Sequence, residues 1–349
     1  MKLNPLGHTD LMVTDLCLGS MTWGTKNTEE EGHAQIDRAL DYGLNFIDTA
    51  EMYPVIPVLA ENVGRTEEII GSWFAKTGQR DKWVLATKIT GANGGFCRDG
   101  APISSTEIDK AVEGSLRRLQ TDVIDLYQLH WPNRGSYCFR QNWDYDPSHH
   151  VKEENIEHME DVLGALQRHI DAGRIRHVGL SNETAWGTTH WIEVAERSGL
   201  PRMATIQNEY SMLHRLFDTD LAEVSANENI GLLAYSPLAF GMLTGKYRGG
   251  SVPSGSRGDE TDGDLHGRLT PRAVAAADAY EDIARRHGLN YTQMALAWCR
   301  QRPFTTSAIF GATSLEQLEE ILPAAHVTLS DEILSEISAA HRDQHPLPY

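Results

Sequence analysis

Four side chains with complementary proton chemistry follow three successive apolar runs: Asp48, Tyr53 five residues later, Lys88 and His130. A free phenol has a pKa near 10 and is a poor acid at neutral pH, but a neighbouring ammonium group lowers that pKa. A buried lysine needs a counter-charge, which Asp48 can supply, and a histidine can orient a carbonyl oxygen or share the proton. If the four converge, Tyr53 becomes a general acid for a carbonyl that is reduced to an alcohol.

Each of these residues also has an ordinary structural interpretation. Asp48 could cap a helix or only pair with Lys88, and Tyr53 could be a half-buried packing residue. Lys88 could be a solvated charge, and His130 a hydrogen-bonded structural histidine. The chemical interpretation therefore depends on elements that bring three neighbouring strand ends together.

Short apolar runs alternate with amphipathic stretches along the chain. The runs predict eight strands, at 15–19, 45–48, 83–88, 123–130, 175–181, 204–207, 230–236 and 306–310. Helical patterns occupy 28–42, 104–119, 158–172, 185–198, 218–228 and 314–322, with candidate capping boxes at Thr28/Glu31 and Ser104/Glu107. This alternation predicts an α/β fold, a single (β/α)8 TIM barrel over 1–349, with chemistry at the carboxyl ends of the strands. The alternative, an open doubly wound sheet, would be favoured by a GxGxxG motif near the first strand, but 15–24 reads DLCLGSMTWG.

Composition excludes several classes of protein. The 349 residues are 40% hydrophobic and 23% charged, as in ordinary globular proteins. The formal net charge of −18 makes nucleic acid an improbable partner. No run approaches a membrane span, and the first residues, MKLNPLGHTD, lack an apolar signal core. Four scattered cysteines without a CxxC pair favour neither zinc nor a disulfide scaffold, so we expect a cytoplasmic protein.

Four segments are too long for simple connections, at 53–63, 89–103, 131–157 and 244–270. The 131–157 loop is rich in aromatic residues, which predicts a pocket wall, although the rings could equally pack the loop onto the barrel. The Gly- and Asp-rich stretch 248–267 is predicted to be mobile. The tail HRDQHPLPY could pack near the pocket or extend freely.

Several long segments occur in the order typical of one family: LGSMTWG (18–24), NFIDTAEMYP (45–54), ATKITG (86–91), DVIDLYQLHWP (122–132), GLSNETAWG (179–187), TIQNEYSML (205–213), LAYSPLAFGMLTGKY (233–247) and FGATSLEQLEE (310–320). From about Leu3 onward the chain resembles the aldo-keto reductases, most closely their Tas-like branch. The resemblance implies a (β/α)8 barrel and NADPH-dependent reduction of aldehydes or ketones. It implies catalytic roles for Asp48, Tyr53, Lys88 and His130, with hydride from NADPH and the proton from Tyr53.

The resemblance also implies that NADP(H) extends across the strand ends. Ser181, Asn182 and Gln207 would hold the nicotinamide carboxamide, Tyr235 would stack on the ring, and the backbone of Ser236, Pro237 and Leu238 would follow the pyrophosphate. Lys246 and Arg257 would meet the 2′-phosphate. The remaining implied contacts are Gly311, Thr313 and Gln317 at the phosphate end and Glu320 at adenine.

Ordinary interpretations remain open for several of these cofactor residues. Asn182 could be the N-cap of helix 185–198, and Tyr235 could be a packing residue of the barrel. Gln317 could complete a capping box with Ser314. Lys246 and Arg257 could be solvated loop charges.

The chain departs from the family pattern near both ends of the cofactor site. Ile321 stands where an asparagine is common, which removes one adenine hydrogen bond, and Pro54 stands where glycine is common. Trp23, Met52 and Trp131 predict a mainly apolar substrate pocket, suited to aromatic or medium-chain aldehydes.

Two other functional classes stay open. One is a nicotinamide-binding regulatory subunit, like the potassium-channel beta subunits of the same superfamily. The other is a metal-dependent barrel hydrolase, but the 15 histidines include neither HxH nor HExxH, so we predict no metal site. We therefore expect a small-molecule carbonyl substrate as the partner and leave the oligomeric state open.

Overall fold

Ten strands form in the computed structural model, which describes residues 1–344. In chain order they are β1 (Leu3–Pro5), β2 (Met12–Thr14), β3 (Leu16–Gly19), β4 (Phe46–Asp48), β5 (Val84–Ile89), β6 (Ile124–Leu129), β7 (Ile175–Ser181), β8 (Thr205–Glu209), β9 (Gly231–Tyr235) and β10 (Thr305–Phe310). The strands β3 to β10 close into a parallel barrel in which β10 pairs with β3. The predicted (β/α)8 TIM barrel is therefore confirmed, and each predicted apolar run overlaps one barrel strand.

The barrel interior has an apolar lower part and a polar upper part. Alternate residues of a strand share a face, so Phe46 and Asp48 point inward together, as do Ala86 and Lys88. The side chains that fill the lower part of the barrel form one buried apolar cluster: Leu6, Val13, Cys17, Phe46, Ala86, Leu126, Leu233 and Ile309. Two of these, Leu6 and Val13, come from an antiparallel hairpin of β1 and β2 that the sequence analysis missed. The inward-facing polar side chains of the upper part form the candidate active site.

Ten α-helices accompany the strands within the described residues. They are α1 (Glu29–Tyr42), α2 (Arg65–Thr77), α3 (Ser105–Leu119), α4 (Lys152–Asp171), α5 (Ala185–Ser198), α6 (Asp220–Glu228), α7 (Pro271–Arg286), α8 (Tyr291–Arg300), α9 (Leu315–Ile321) and α10 (Asp331–Gln344). All six predicted helices are present, while α2, α7, α8 and α10 were not among them. Each predicted helix buries its apolar face; in α3, Ile108, Val112 and Leu119 face the strands.

Helix starts follow the predicted capping residues only in part. The Thr28/Glu31 capping box of α1 is confirmed in both directions. At α3, Ser104 accepts the amide of Glu107 at 3.4 Å, but the Glu107 carboxylate binds Arg98 and Lys110 instead of completing a box. The helix α4 begins six residues before the predicted start at 158, so it includes the end of the aromatic 131–157 loop.

Side-chain contacts hold the segment 248–267 against its surroundings. The amide of Gly258 donates to the Tyr247 hydroxyl at 2.9 Å, and Glu260 forms an ion pair with Lys26 in the loop after β3. Residues 345–349, which end the predicted domain and the HRDQHPLPY tail, lie outside the described residues. Up to residue 344, no helix is both long enough and apolar enough to cross a membrane.

Candidate active site

A fully buried lysine lies at the centre of the polar upper part of the barrel. Lys88, near the end of β5, donates from Nζ to Asp48 Oδ2 at 2.6 Å and to the Thr49 carbonyl at 2.7 Å. Its third contact is the Tyr53 hydroxyl, at 3.5 Å. Burial opposes the charge of Lys88, but Asp48 and Tyr53 outweigh this effect, so the pKa of Lys88 is raised. The lysine is therefore held as an ammonium group beside the phenol.

The backbone of Tyr53 is fixed by the start of α2. The carbonyl of Tyr53 accepts the amides of Gly64 at 3.1 Å and Thr66 at 3.4 Å, and its amide donates to the Ala50 carbonyl. Gly64 has a φ of 85°, and a Cβ there would lie 2.6 Å from Arg118 Cδ, so this tight entry into α2 requires glycine. The phenol thus extends over Lys88 from a rigid loop.

The titration of Tyr53 differs from the simple sequence expectation. Burial raises the pKa of the Tyr53 phenol, and the charge of Lys88 opposes this rise without reversing it. The expected lowering of the pKa by lysine is therefore present as a contribution, but burial outweighs it. Tyr53 therefore stays protonated at neutral pH, as a proton donor must.

His130 lies next to Tyr53, with ring centroids 5.8 Å apart. Burial, with a smaller contribution from Lys88, lowers the pKa of His130 well below its usual value, so the imidazole is neutral at pH 7. The buried Nδ1 has no hydrogen-bond partner within residues 1–344. The unused ring can therefore bind a polar ligand atom above Tyr53.

The side-chain amides of Gln207 and Gln128 complete the hydrogen bonds of the Asp48 carboxylate. Asp48 Oδ1 accepts Gln207 Nε2 at 2.8 Å and Gln128 Nε2 at 3.1 Å. Gln207 was predicted to hold nicotinamide, and its amide nitrogen instead supports Asp48, which leaves its carbonyl oxygen for a ligand. Sequence reasoning missed Gln128, although it lies two residues before His130 and therefore faces the barrel interior.

The predicted carboxamide-binding residues are joined to one another and to the histidine strand. Asn182 has a positive φ of 53° and donates from Nδ2 to the His130 carbonyl at 2.9 Å and to Ser181 Oγ at 3.1 Å. Its Oδ1 accepts the Tyr235 hydroxyl at 2.7 Å. The N-cap of α5 is Thr184, so the alternative role of Asn182 as that cap is wrong. These contacts fix Asn182 and Tyr235 on the rim.

A second buried ion pair, not predicted from sequence, anchors the loop that carries Tyr53. Glu51 is 2% exposed and accepts Arg98 Nε at 3.1 Å and the Thr90 amide at 2.6 Å. The Glu51 amide donates to the Lys88 carbonyl at 3.2 Å. The sequence does show an acidic residue, Glu51, two positions before Tyr53. Nothing in the sequence identifies Arg98 as the partner of Glu51.

The predicted phosphate-binding segment begins where β9 ends. Ser236 has a φ of 53° and turns the chain, and Pro237 and Leu238 follow it. Arg257 lies over the Phe240 ring, with its guanidinium carbon 5.2 Å from the centroid, and Lys246 Nζ lies 5.3 Å from the Tyr247 centroid. Both cations therefore lie along the same segment.

Arg257 is partly buried yet has no carboxylate partner. Burial lowers the pKa of Arg257, and within residues 1–344 its guanidinium forms no hydrogen bond or ion pair. The nearby charge of Glu260, which is already paired with Lys26, offsets only part of the effect of burial, so the guanidinium fits an anionic ligand group such as a phosphate. On this observation the residues present fit a phosphate-bearing cofactor.

The loop between β10 and α9 holds the other predicted phosphate-end residues. Gly311 and Thr313 are exposed, and Gln317 Oε1 accepts the Thr313 amide at 2.9 Å. A capping box requires the Gln317 side chain to accept the amide of Ser314, the N-cap residue. Because Gln317 accepts the amide of Thr313 instead, the box is incomplete. Ile321 is buried in the core.

Glu320 is already bound within the protein. The carboxylate accepts Asn290 Nδ2 at 3.1 Å and Thr292 Oγ1 at 3.0 Å, while the residue remains exposed. A predicted adenine contact would have to share or replace these bonds.

The predicted substrate-pocket residues lie in different environments. Met52 is 7% exposed, and Trp131 is half-buried beside His130, with ring centroids 4.9 Å apart. Trp23 is completely buried and donates from Nε1 to Gln35 at 3.2 Å. Trp23 therefore supports the rim from behind, and its contact with a substrate stays a prediction.

The arrangement supports proton transfer to an oxygen atom held near Tyr53 and His130. A protonated phenol, a buried ammonium group paired with a carboxylate, and a neutral imidazole are the groups such a transfer needs. Among residues 1–344 no group of three or more histidine, cysteine or acidic residues is placed to hold a metal ion.

Comparison with known proteins gives full-length matches. A model of the Aldo/keto reductase family matches residues 15–342. The chain is 44% identical over 350 residues to "Protein tas" of Escherichia coli (strain K12), with 98% of each chain covered. It is 33% identical over 341 residues to "Uncharacterized oxidoreductase YrpG" of Bacillus subtilis (strain 168), covering 96% of this chain and 94% of that protein. It is 30% identical over 332 residues to "Probable voltage-gated potassium channel subunit beta" of Arabidopsis thaliana, covering 94% and 92%.

Proposed function

The chain belongs to the aldo/keto reductase family, and from this premise we propose that it is an NADPH-dependent reductase converting aldehydes or ketones to alcohols in the cytoplasm. Family membership makes it an oxidoreductase with a small-molecule substrate. The finer assignment rests on one observation, the buried Lys88 ammonium that contacts both Asp48 and the hydroxyl of Tyr53.

The residues divide the proton chemistry between them. Tyr53 donates its hydroxyl proton to the carbonyl oxygen, and Lys88 stabilises the phenolate that remains. Asp48 keeps Lys88 charged inside the barrel, and neutral His130 donates a hydrogen bond that orients the carbonyl oxygen. When bound, NADPH supplies the hydride for the carbonyl carbon.

Different residues of the barrel rim are assigned to different parts of the cofactor. Asn182, with Ser181 and the carbonyl oxygen of Gln207, would hold the nicotinamide carboxamide, and Tyr235 would stack on the ring. The backbone of Ser236, Pro237 and Leu238 would bind the pyrophosphate. Lys246 and Arg257 would bind the 2′-phosphate, and Gly311, Thr313, Gln317 and Glu320 would hold the adenosine end. The unpaired guanidinium of Arg257 supports this placement most directly.

Aromatic and medium-chain aldehydes suit the entrance to the site. Met52 and Trp131 present apolar surface beside His130, and Phe139 extends it, with its ring centroid 5.9 Å from that of Trp131. Such surface favours an apolar group attached to the reacting carbonyl.

The test is NADPH consumption with an aromatic aldehyde by the wild type and by Tyr53→Phe. Tyr42→Phe on α1, far from the barrel mouth, serves as the matched control. We expect Tyr53→Phe to lower kcat about 10²–10⁴-fold, the usual contribution of a general acid, with unchanged NADPH affinity. Equal turnover by the two variants would refute the role of Tyr53.

A cofactor-binding regulatory subunit remains the second candidate because one relative is named as a channel subunit beta. In the same experiment, tight NADPH binding by a wild type that reduces no aldehyde would favour it over the reductase.

A further inference from the structure

A large cavity lies outside the site described above, between the 131–157 loop and the starts of α5 and α6. Its volume is about 780 Å³, within the range of sites that enclose a drug-sized molecule. None of Asp48, Tyr53, Lys88 and His130 lines it. The cavity is therefore separate from the site of proton transfer.

Aromatic rings form fixed parts of the cavity wall. Trp186 stacks on His190, with ring centroids 4.2 Å apart, and the Arg134 guanidinium carbon lies 5.1 Å from the Trp186 centroid. Tyr137 and Tyr145 contact each other edge to face at 6.3 Å. Because His190 and Arg134 lie over the ring of Trp186, this residue offers its edge to a ligand, while Tyr137 and Tyr145 offer ring surface with little loss of side-chain entropy.

The polar groups of the wall are mostly hydrogen-bond donors without partners. Within residues 1–344 the hydroxyls of Tyr137 and Tyr145, the Asn142 amide and the Lys152 ammonium form no hydrogen bond or ion pair. Burial raises the pKa of Tyr137, so its hydroxyl remains a donor. Donors left unused in a cavity favour a ligand that brings oxygen acceptors.

One charge of the wall favours a ligand with a negative group. Arg134 is neutralised by the buried Glu183, whose carboxylate also accepts the Thr184 amide at 2.6 Å. Asp220, at the first position of α6, is the acidic residue among the lining side chains, and its charge contributes to raising the pKa of Tyr137. Lys152 is the cation of the wall that has no ion-pair partner within residues 1–344, and it is the group that favours a negative oxygen.

We propose that this cavity is a second binding site, for a planar aromatic molecule that carries an anionic oxygen group. The ring system packs against Tyr137 and Tyr145 with the edge of Trp186 beside it, and the oxygen atoms accept hydrogen bonds from the tyrosine hydroxyls and Lys152. The lining includes none of Asn182, Tyr235 and the 236–238 segment, although Tyr137 also lines a small pocket beside Tyr235, so we expect the ligand and the nicotinamide cofactor to bind together.

The test is a fluorescence titration of anilinonaphthalenesulfonate, an aromatic sulfonate, into the full-length protein saturated with NADPH. The decisive pair is Trp186→Ala against Trp143→Ala, because Trp143 belongs to the 131–157 loop beside the cavity and is 62% exposed but does not line the cavity. We expect one dye molecule per chain in the wild type and a Kd raised about tenfold by Trp186→Ala alone, which corresponds to about 1.4 kcal/mol.

Two further variants keep the test informative if Trp186→Ala folds poorly. Tyr145→Phe keeps the ring and removes one donor, and Lys152→Met removes the charge; each is expected to raise the Kd about threefold or more. Lys110→Met, on the exposed side of α3, is the control for charge and should leave the Kd unchanged. The proposal is overturned if NADPH displaces the dye, or if the cavity variants bind it as tightly as their controls.

Discussion

At the scale of single residues, burial keeps two neighbouring groups in the protonation states that reduction needs. Burial raises the pKa of Tyr53 and lowers that of His130. The acid form of Tyr53 and the neutral form of His130 therefore coexist across the neutral range. We expect kcat/KM for aldehyde reduction to stay level from about pH 7 to pH 9 and to fall above about pH 10, where a phenol loses its proton. A pH profile with an acid limb near 6.5 would show instead that His130 titrates normally.

The pair of Lys88 and Asp48 makes a separate prediction about stability. Lys88→Met leaves the Asp48 carboxylate buried without its counter-charge, which costs about 3–5 kcal/mol in free energy of unfolding. Replacing both, as Asp48→Asn with Lys88→Met, should recover most of that loss without recovering turnover. Urea unfolding and NADPH consumption measured on the same three proteins check this. A double variant as unstable as the single one would contradict a charge effect.

Residue types and strand ends were enough to predict which side chains meet near Tyr53, because inward-facing residues at neighbouring strand ends must converge. They were not enough to predict the amide contacts. Gln128 resembles any polar strand residue in sequence, and its role depends on the carboxylate of Asp48 in another strand. The Asn182 contacts likewise depend on Tyr235, more than 50 residues away.

At the scale of elements, the loop after β4 is fastened to the loop after β5 by the pair of Glu51 and Arg98. Arg98 also binds Glu107 in the first turn of α3, at 3.0 Å. The capping box predicted for α3 fails for this reason, since its acidic residue serves an ion pair between elements. Local spacing predicted the helix, but the partner of its acid could be identified only once the two loops were placed together.

Arg98 is therefore a positioning residue for Tyr53, and Arg98→Met tests this. We expect kcat to fall about tenfold or more with little change in the Kd for NADPH, because a small misplacement of the general acid slows proton transfer. Arg98→Lys should recover part of kcat. Arg117→Met, an exposed arginine of α3 with no ion pair within residues 1–344, is the control. A loss of NADPH affinity equal to the loss of kcat would indicate general damage to the fold instead.

At the scale of the whole molecule, local positive charge is set against an acidic chain. The formal net charge is −18, yet Lys246 and Arg257 lie along one segment at the rim of the barrel. The barrel itself follows from the alternation of strands and helices, which is a property of the entire sequence. That alternation does not predict which cations form ion pairs. Arg248, two residues from Lys246, is bound by Glu281 and Asp282 from α7.

That difference in pairing predicts which cations select NADPH over NADH. Lys246→Ala and Arg257→Ala should each raise KM for NADPH about tenfold and leave KM for NADH nearly unchanged, because a charge-assisted hydrogen bond contributes about 1.5–3 kcal/mol. Arg248→Ala is the matched control and should change neither value, since its charge is already neutralised. Added salt should weaken NADPH binding by the wild type more than by either variant. If both cofactors lose affinity equally in Arg257→Ala, the guanidinium binds a group that the two share, and the 2′-phosphate assignment is wrong.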